Sequence, residues 1–460
     1  MSVLRVGAGK ACITPAPEMY PLPVSHEKFP KTAAYNDLHV RAVAIDNGNE
    51  RVMLVAYELA GVPSIPNEEL RAKVGEAAGF PPEHILILAT HNHTDAPDRT
   101  FLPVTDPGEE KFYQDFREIE LNGAIEAAAA AVRTMREARY GYGECESYVN
   151  CNRDLQTPFG YWVEGQNPAG YSDKTLAVIK FIDNDGQLIA ALLNHGTHAN
   201  CAFGDRDVDG QVKTHSNFTG IACEFVERRY GGGAVAMWTS GAAGNQNPLN
   251  VHGMQYEYPD GYSTNVRYPD GVALMQMEQL GRTHGADAVK CLESITAYSR
   301  YMPVTHVVSS VQLPAFYQDP SDPTPHPFRM GGSGLRDMEK TPYGQVPPVP
   351  KPPRMLDKEP VEMKMQLVLL GDIALIFVSG ELYAELGTAL KQASPYRKAI
   401  VITHVDTHSA GYILDKGSKD HKVFQAFFRI RPGFAEAPLL EAERSLFDEA
   451  LKERQMGAEI

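Results

Sequence analysis

Cysteine and tryptophan are scarce in this 460-residue chain, with six of the former and two of the latter. Cys12, Cys145, Cys151, Cys201, Cys223 and Cys291 are scattered, with no C-x-x-C pair. That spacing argues against a structural zinc knuckle and against a dense disulfide framework. Basic residues are also in deficit: 43 Lys and Arg stand against 58 Asp and Glu, a formal net charge of -15. Phosphate binding needs a basic face, so no nucleic acid partner is expected, and adsorption to an anionic membrane surface is disfavoured too. No run approaches the roughly 18 to 20 apolar residues of a membrane span. The opening residues Met1 to Gly7 carry no basic segment ahead of an apolar run. They do not read as a secretory signal, and the expected location is cytoplasmic.

What is present is ordinary for a folded protein: 43% hydrophobic and 22% charged residues. Val40 to Ile45 and Arg51 to Tyr57 read as strands joined by a turn at Asn47-Gly48-Asn49. Asn67 to Ala78 reads as a helix ended by Gly79 and Pro81-Pro82. The apolar segment Ile85 to Leu88 runs into Thr90-His91-Asn92-His93, and Glu118 to Met135 is a long alanine-rich helix. Leu188 to Leu193 is a strand ending at Asn194-His195; Gly220 to Arg229 is a helix; Ala234 to Trp238 is a strand entering the glycine-rich stretch Ser240 to Gly244. Ile373 to Val378 is a buried strand ending at Gly380-Glu381, and Ala399 to Thr403 leads into His404 and on to Gly411-Tyr412. Between them, residues 314–360 form an excursion rich in Pro, Gly and Asp, either a flap or a solvated loop. No internal repeat is evident. Hairpins beside strands that alternate with helices imply a mixed α/β protein, with mixed β-sheets flanked by helices in a layered sandwich.

The polar residues fall in a pattern. His91, His195, Glu381 and His404 each lie just past the end of an apolar strand, where sites are commonly built on a rigid frame. Histidine and carboxylate are what Zn²⁺ accepts, and a catalytic zinc keeps one position for water or substrate. His91 and His93 are two apart, so on an extended strand both face the same side. His198, His215, His404 and His408 add further imidazoles, and Asp406 is placed to orient His404. Asp205 to Gly210 has the D-x-D-x-D-G opening of a calcium loop, but its twelfth position is Ser216 rather than glutamate, so a solvated turn is expected.

Ala89-Thr90-His91-Asn92-His93-Thr94 resembles the A-T-H-T-H-S stretch of the neutral, non-lysosomal ceramidases. Further matches follow in order: Gly7 to Pro15 to the opening G-x-G-x-A-x-I-T-P, Leu38 to Ala42 to the next motif, and Asn152-Arg153 to an N-R pair. His195-Gly196-Thr197 matches H-G-T, Gly380-Glu381 matches P-G-E, and Gly411-Tyr412 closes the series. The resemblance covers the family's catalytic domain and implies one such domain across residues 1–460. It implies one Zn²⁺ per chain held by His91, His195, Glu381 and Tyr412, with His93, Arg153 and Tyr412 serving catalysis and His39, Asn247 and His198 lying toward the substrate. It implies an amidase acting on a linear N-acyl bond of a small molecule by metal-activated water, with no membrane span and with self-association into a homo-oligomer left open.

Two departures bear on the substrate. Asn247, in Gly244-Asn245-Gln246-Asn247-Pro248, stands where the family has a serine, and a second family tyrosine falls on Phe424 or Phe427. A non-ceramide substrate is the expectation. Two other readings stand beside it. A metallo-β-lactamase-like hydrolase would use Thr90 to Asp95 as T-H-x-H-x-D, but Ala96 replaces the histidine that pattern needs. A non-catalytic binding protein would keep a degenerate site.

Overall fold

The computed structural model of the chain describes residues 3–23, 30–63, 65–96, 107–156, 162–249, 255–257, 263–265, 269–324, 353–406, 410–421 and 423–458. One topology occurs three times along the chain. In the first lobe, Arg5–Cys12 pairs antiparallel with His39–Asp46, which forms a hairpin with Arg51–Tyr57. Helix Asn67–Ala78 then crosses over to Ile85–Ala89, which lies parallel to Arg51–Tyr57 at the sheet edge. The second lobe repeats the order with Arg139–Glu146, Thr175–Ile182, Leu188–His195, helix Asn217–Tyr230 and the parallel edge strand Val235–Ser240. The third uses Val304–Gln318, Met355–Leu370, Ile373–Val378, helix Ala384–Ala393 and the parallel edge strand Lys398–Ile402. Each lobe closes with a long helix: Pro107–Arg133, Val272–Ser294 or Glu436–Ala458. The sequence carries no matching repeat because only topology recurs, and topology needs hydrophobic pattern rather than identity.

The three sheets share one core and have separate backs. Leu54, Leu86, Leu192, Met237, Leu375 and Ile400 belong to a single buried cluster fed by all three sheets. Neighbours of opposite parity turn outward to the helices. Along Arg51–Tyr57, Val52, Leu54 and Ala56 point to the shared core, while Met53, Val55 and Tyr57 pack toward Leu70, Val74 and Ala127. A sheet buried on both faces reads as a continuous apolar run, which is why alternation is hidden in these strands. The layered sandwich is thus three helix-backed sheets around a common interior.

Glycine sets how close one helix comes. A Cβ on Gly7 would lie 2.0 Å from the Ala131 carbonyl oxygen, and one on Gly9 2.1 Å from that of Ala127. The opening G-x-G and the alanine-rich helix Pro107–Arg133 are two halves of one tight helix–sheet contact. The 314–360 excursion begins later than its composition suggests. Residues 315–318 pair with 355–358 as the far end of a long hairpin, and residues 325–352 lie outside the described residues.

Candidate metal centre

The lobes bring the ends of their last two strands to one place. Asp406 N–H donates to Ile87 O and Ala89 N–H to His404 O, so the first and third sheets touch there. Thr403 N–H donates to Ser240 O, joining the third sheet to the second. His91 follows the edge strand of the first lobe, His198 follows Leu188–His195 in the second, and Glu381 and His404 follow the last two strands of the third. His91 and His404 both have left-handed backbones, with φ of 58° and 57°. Non-glycine residues rarely hold this conformation, and it turns the chain sharply at the strand end, where the three sheets meet.

The imidazoles are fixed from behind. His91 Nδ1–H donates to Ala60 O at 2.7 Å, which leaves Nε2 with its lone pair facing the site. His198 Nδ1 lies 2.7 Å from Ala243 O and 3.1 Å from Gln246 O, so its Nε2 turns toward the site. Backbone carbonyls on the far nitrogen are how metal-binding histidines are usually oriented. Glu381 Oε2 lies 3.3 Å from His91 Nε2 and 3.4 Å from His198 Nε2, yet this buried oxygen accepts no hydrogen bond. The Tyr412 hydroxyl is 3.4 Å from His198 Nε2. A buried carboxylate oxygen with no hydrogen-bond partner is costly unless a cation lies beside it, and two imidazole nitrogens converge on the same point. The donor set His91, His198, Glu381 and Tyr412 therefore fits a divalent metal.

Electrostatics point the same way. Burial alone would raise the Glu381 carboxyl, but the imidazoles of His91, His198 and His404 outweigh it and hold it well below the usual carboxylate range. Burial first, then the Arg153 charge, brings His198 down to about 4, so it is neutral and able to ligate at neutral pH. Burial and the neighbouring His91 and His198 push His93 well down as well. His93 Nε2 lies 3.0 Å from His91 Nε2, and the nitrogens of His91, His93 and His198 lie within 4.8 Å of one another, as do the donors of His91, Glu381 and His404. His404 stacks flat on His91, centroids 3.9 Å apart and planes 16° from parallel. His404 thus packs on His91 while keeping a ring nitrogen within 4.8 Å of the His91 and Glu381 donor atoms.

His195 is not at the centre, contrary to the reading from sequence. Its Nε2 donates to Ser147 O at 3.0 Å and its Nδ1 pairs with Thr197 Oγ1 at 2.7 Å, so neither nitrogen is available. The cause is strand parity. Leu193, two residues earlier, packs on the helix-covered back of the second sheet, and His195 follows it there, 5.1 Å from the His284 ring. His198, expected toward the substrate, takes the metal-facing place. The alternation of Leu193 and His195 is the signal that would have separated the two. His39 is not in the cluster either; its ring faces the Glu58 carboxylate at 3.5 Å.

Arg153 is buried beside the centre, its guanidinium 5.4 Å from the Tyr412 ring and 5.7 Å from Phe424. Its Nε and Nη2 donate to Gly244 O at 3.1 and 2.6 Å, and Nη1 donates to Asn247 Oδ1 at 3.2 Å. Asn247 also accepts from Asn200 and donates to Glu164, so its amide is fully engaged in holding Arg153. Asp406 accepts from Arg71 and, at 2.9 Å, from Gln366 rather than orienting His404. Asp95 accepts the Ala60 N–H at 2.6 Å and belongs to neither donor group among the described residues, so a second metal bridged by Asp95 has no support. Asp207 accepts the backbone N–H groups of Asp209 and Gln211, closing a turn and not a calcium loop. His408 lies outside the described residues.

A mixed α/β fold of three helix-backed sheets, with histidine, carboxylate and phenol donors gathered at its strand ends, is the class these observations define. Among solved structures the same fold is found in neutral ceramidases. One, described as a ceramidase complexed with C2, superposes with a TM-score of 0.70 over 99% of this chain and 76% of its own, at 16% identity. The neutral ceramidase of Pseudomonas aeruginosa gives 0.67 over 99% and 75%, at 15% identity. No family model and no curated protein matches the sequence. At this identity the likeness establishes the fold. Among the described residues, no helix is long and apolar enough to cross a membrane.

Proposed function

We propose that this chain is a zinc-dependent hydrolase that cleaves a linear N-acyl amide, with His91, His198, Glu381 and Tyr412 as its metal ligands. The observation that carries the reading is the unsatisfied, buried Glu381 Oε2 facing two imidazole Nε2 atoms whose other nitrogens are bound to carbonyls. Bound there, Zn²⁺ supplies a Lewis acid that polarises an acyl oxygen and brings the pKa of water to about 7.

The chain's own residues supply the rest. His93 is the partly exposed member of the histidine cluster, placed to carry a proton from the attacking water to the leaving nitrogen. Arg153 is a fixed positive charge beside Tyr412, held by Gly244 O and Asn247, and it stabilises negative charge that develops on the acyl oxygen. Asn247 cannot act as a nucleophile, which leaves water in that role. Phe424, one of the two positions where the resemblance expects a second tyrosine, packs edge-on to Tyr412 at 5.5 Å and brings no hydroxyl there. The missing hydroxyl is what favours an amide other than ceramide.

The test is a panel of N-acyl amides, lactams and esters offered to purified protein with and without chelator. The reading expects amide hydrolysis that chelator removes and zinc restores. Undiminished hydrolysis in the chelated sample would overturn it.

A further inference from the structure

Two cysteines far apart in sequence meet behind the second sheet. Cys145 lies near the end of Arg139–Glu146, and Cys291 lies on helix Val272–Ser294, which covers that strand. Each thiol points at the other's immediate surroundings. Cys145 Sγ is 3.7 Å from Asp287 O, the carbonyl one helical turn before Cys291. Cys291 Sγ is 3.9 Å from Leu176 O, and Leu176 is the cross-strand partner of Cys145. The neighbouring Cys291 thiol lowers Cys145, and Cys145 in turn raises Cys291, from the usual thiol range. Cys145 is partly exposed whereas Cys291 is buried, so an oxidant meets one thiol before the other.

The frame around the pair is rigid. Trp238 Nε1–H donates to His284 Nε2 at 3.1 Å, His284 Nδ1–H to Ser147 Oγ at 2.8 Å, and Ser147 O–H to Asp287 Oδ2 at 2.8 Å. Ser147 is two residues beyond Cys145, and Asp287 is one turn before Cys291. This ladder fixes strand and helix in register around the two cysteines.

We propose that Cys145 and Cys291 form a reversible disulfide that staples the helix Val272–Ser294 to the second sheet when a low-molecular-weight disulfide such as oxidised glutathione is present. The Cys145 thiolate attacks one sulfur of oxidised glutathione, forming a mixed disulfide and releasing one glutathione thiol. The Cys291 thiolate then attacks Cys145 Sγ and expels the second glutathione. Two protons leave the protein thiols, two electrons pass to the oxidant, and one S–S bond replaces another.

The experiment uses the full chain carrying Cys12→Ser, which removes the one exposed thiol. Protein is incubated with oxidised glutathione, alkylated after unfolding, digested without reductant and read by mass spectrometry. The proposal expects a peptide pair joined through residues 145 and 291, two hydrogen masses lighter than its parts, released by dithiothreitol. It also expects the oxidised form to melt several degrees higher, as a constraint on a long loop should make it. Adding Cys145→Ser or Cys291→Ala abolishes both the link and the rise in melting temperature. Glutathione that stays on Cys145, or full alkylation of both cysteines after oxidation, overturns the proposal.

Discussion

His93 and Tyr412 contribute in different ways, and substitution separates them. His93 Nε2 faces the cluster, but its ring is not needed to satisfy Glu381. His93→Gln is predicted to keep the metal and lower kcat by about 10²- to 10⁴-fold, the range for loss of a general acid or base. Metal content and turnover, measured together, check this; loss of metal would make His93 a ligand. The residues around the centre were partly legible. His91, Glu381 and Tyr412 stand at strand ends and in recognisable short motifs. The H-G-T motif points to His195, whose strand parity places it on the back of its sheet, and not to His198 three residues on. The carbonyls of Ala60 and Ala243 could not be read at all, since a backbone acceptor leaves no mark in the sequence.

Two elements carry predictions of their own. The glycine-rich stretch after Val235–Ser240 was visible as a loop, but its purpose is steric. A Cβ on Gly244 would lie 2.7 Å from Glu381 O and 2.9 Å from Tyr383 Cδ1. Gly244→Ala is predicted to cost about 1–3 kcal/mol of stability and to weaken metal retention by displacing the Glu381 strand; denaturant unfolding and metal analysis measure both. The closing helix Glu436–Ala458 holds Glu443, buried with both carboxyl oxygens unbonded. Burial raises it to about 8 from 4.5. The folded state thus binds this proton more tightly than the unfolded chain. Its contribution to stability is complete below the unfolded pKa and is lost as pH rises, at about 1.4 kcal/mol per pH unit, until the folded pKa is passed. Glu443→Gln is predicted to flatten stability between pH 5 and 8; thermal melts across that range decide, and an unchanged slope counts against it. The helices and strands were read well where patterns ran long, as at Asn67–Ala78 and Ile373–Val378. The excursion was overdrawn because paired strands at 315–318 and 355–358 share its polar composition.

At the scale of the molecule, three lobes of one topology each send a donor to the same point: His91 from the first, His198 from the second, Glu381 and Tyr412 from the third. The threefold recurrence escaped the sequence because hydrophobic pattern can repeat without residue identity. A metal at that point would tie all three sheets together, so its removal should destabilise the whole fold and not one loop. With free metal near 1,000 times its dissociation constant, binding adds about 4 kcal/mol, and chelation is predicted to lower the melting temperature in a single cooperative transition. The most direct test counts metal in three proteins purified identically: the parent, His198→Ala and His195→Ala. The parent and His195→Ala should each retain stoichiometric zinc, whereas His198→Ala should lose it. Zinc retained by His198→Ala, or lost from His195→Ala while that variant remains folded, would contradict the assigned centre.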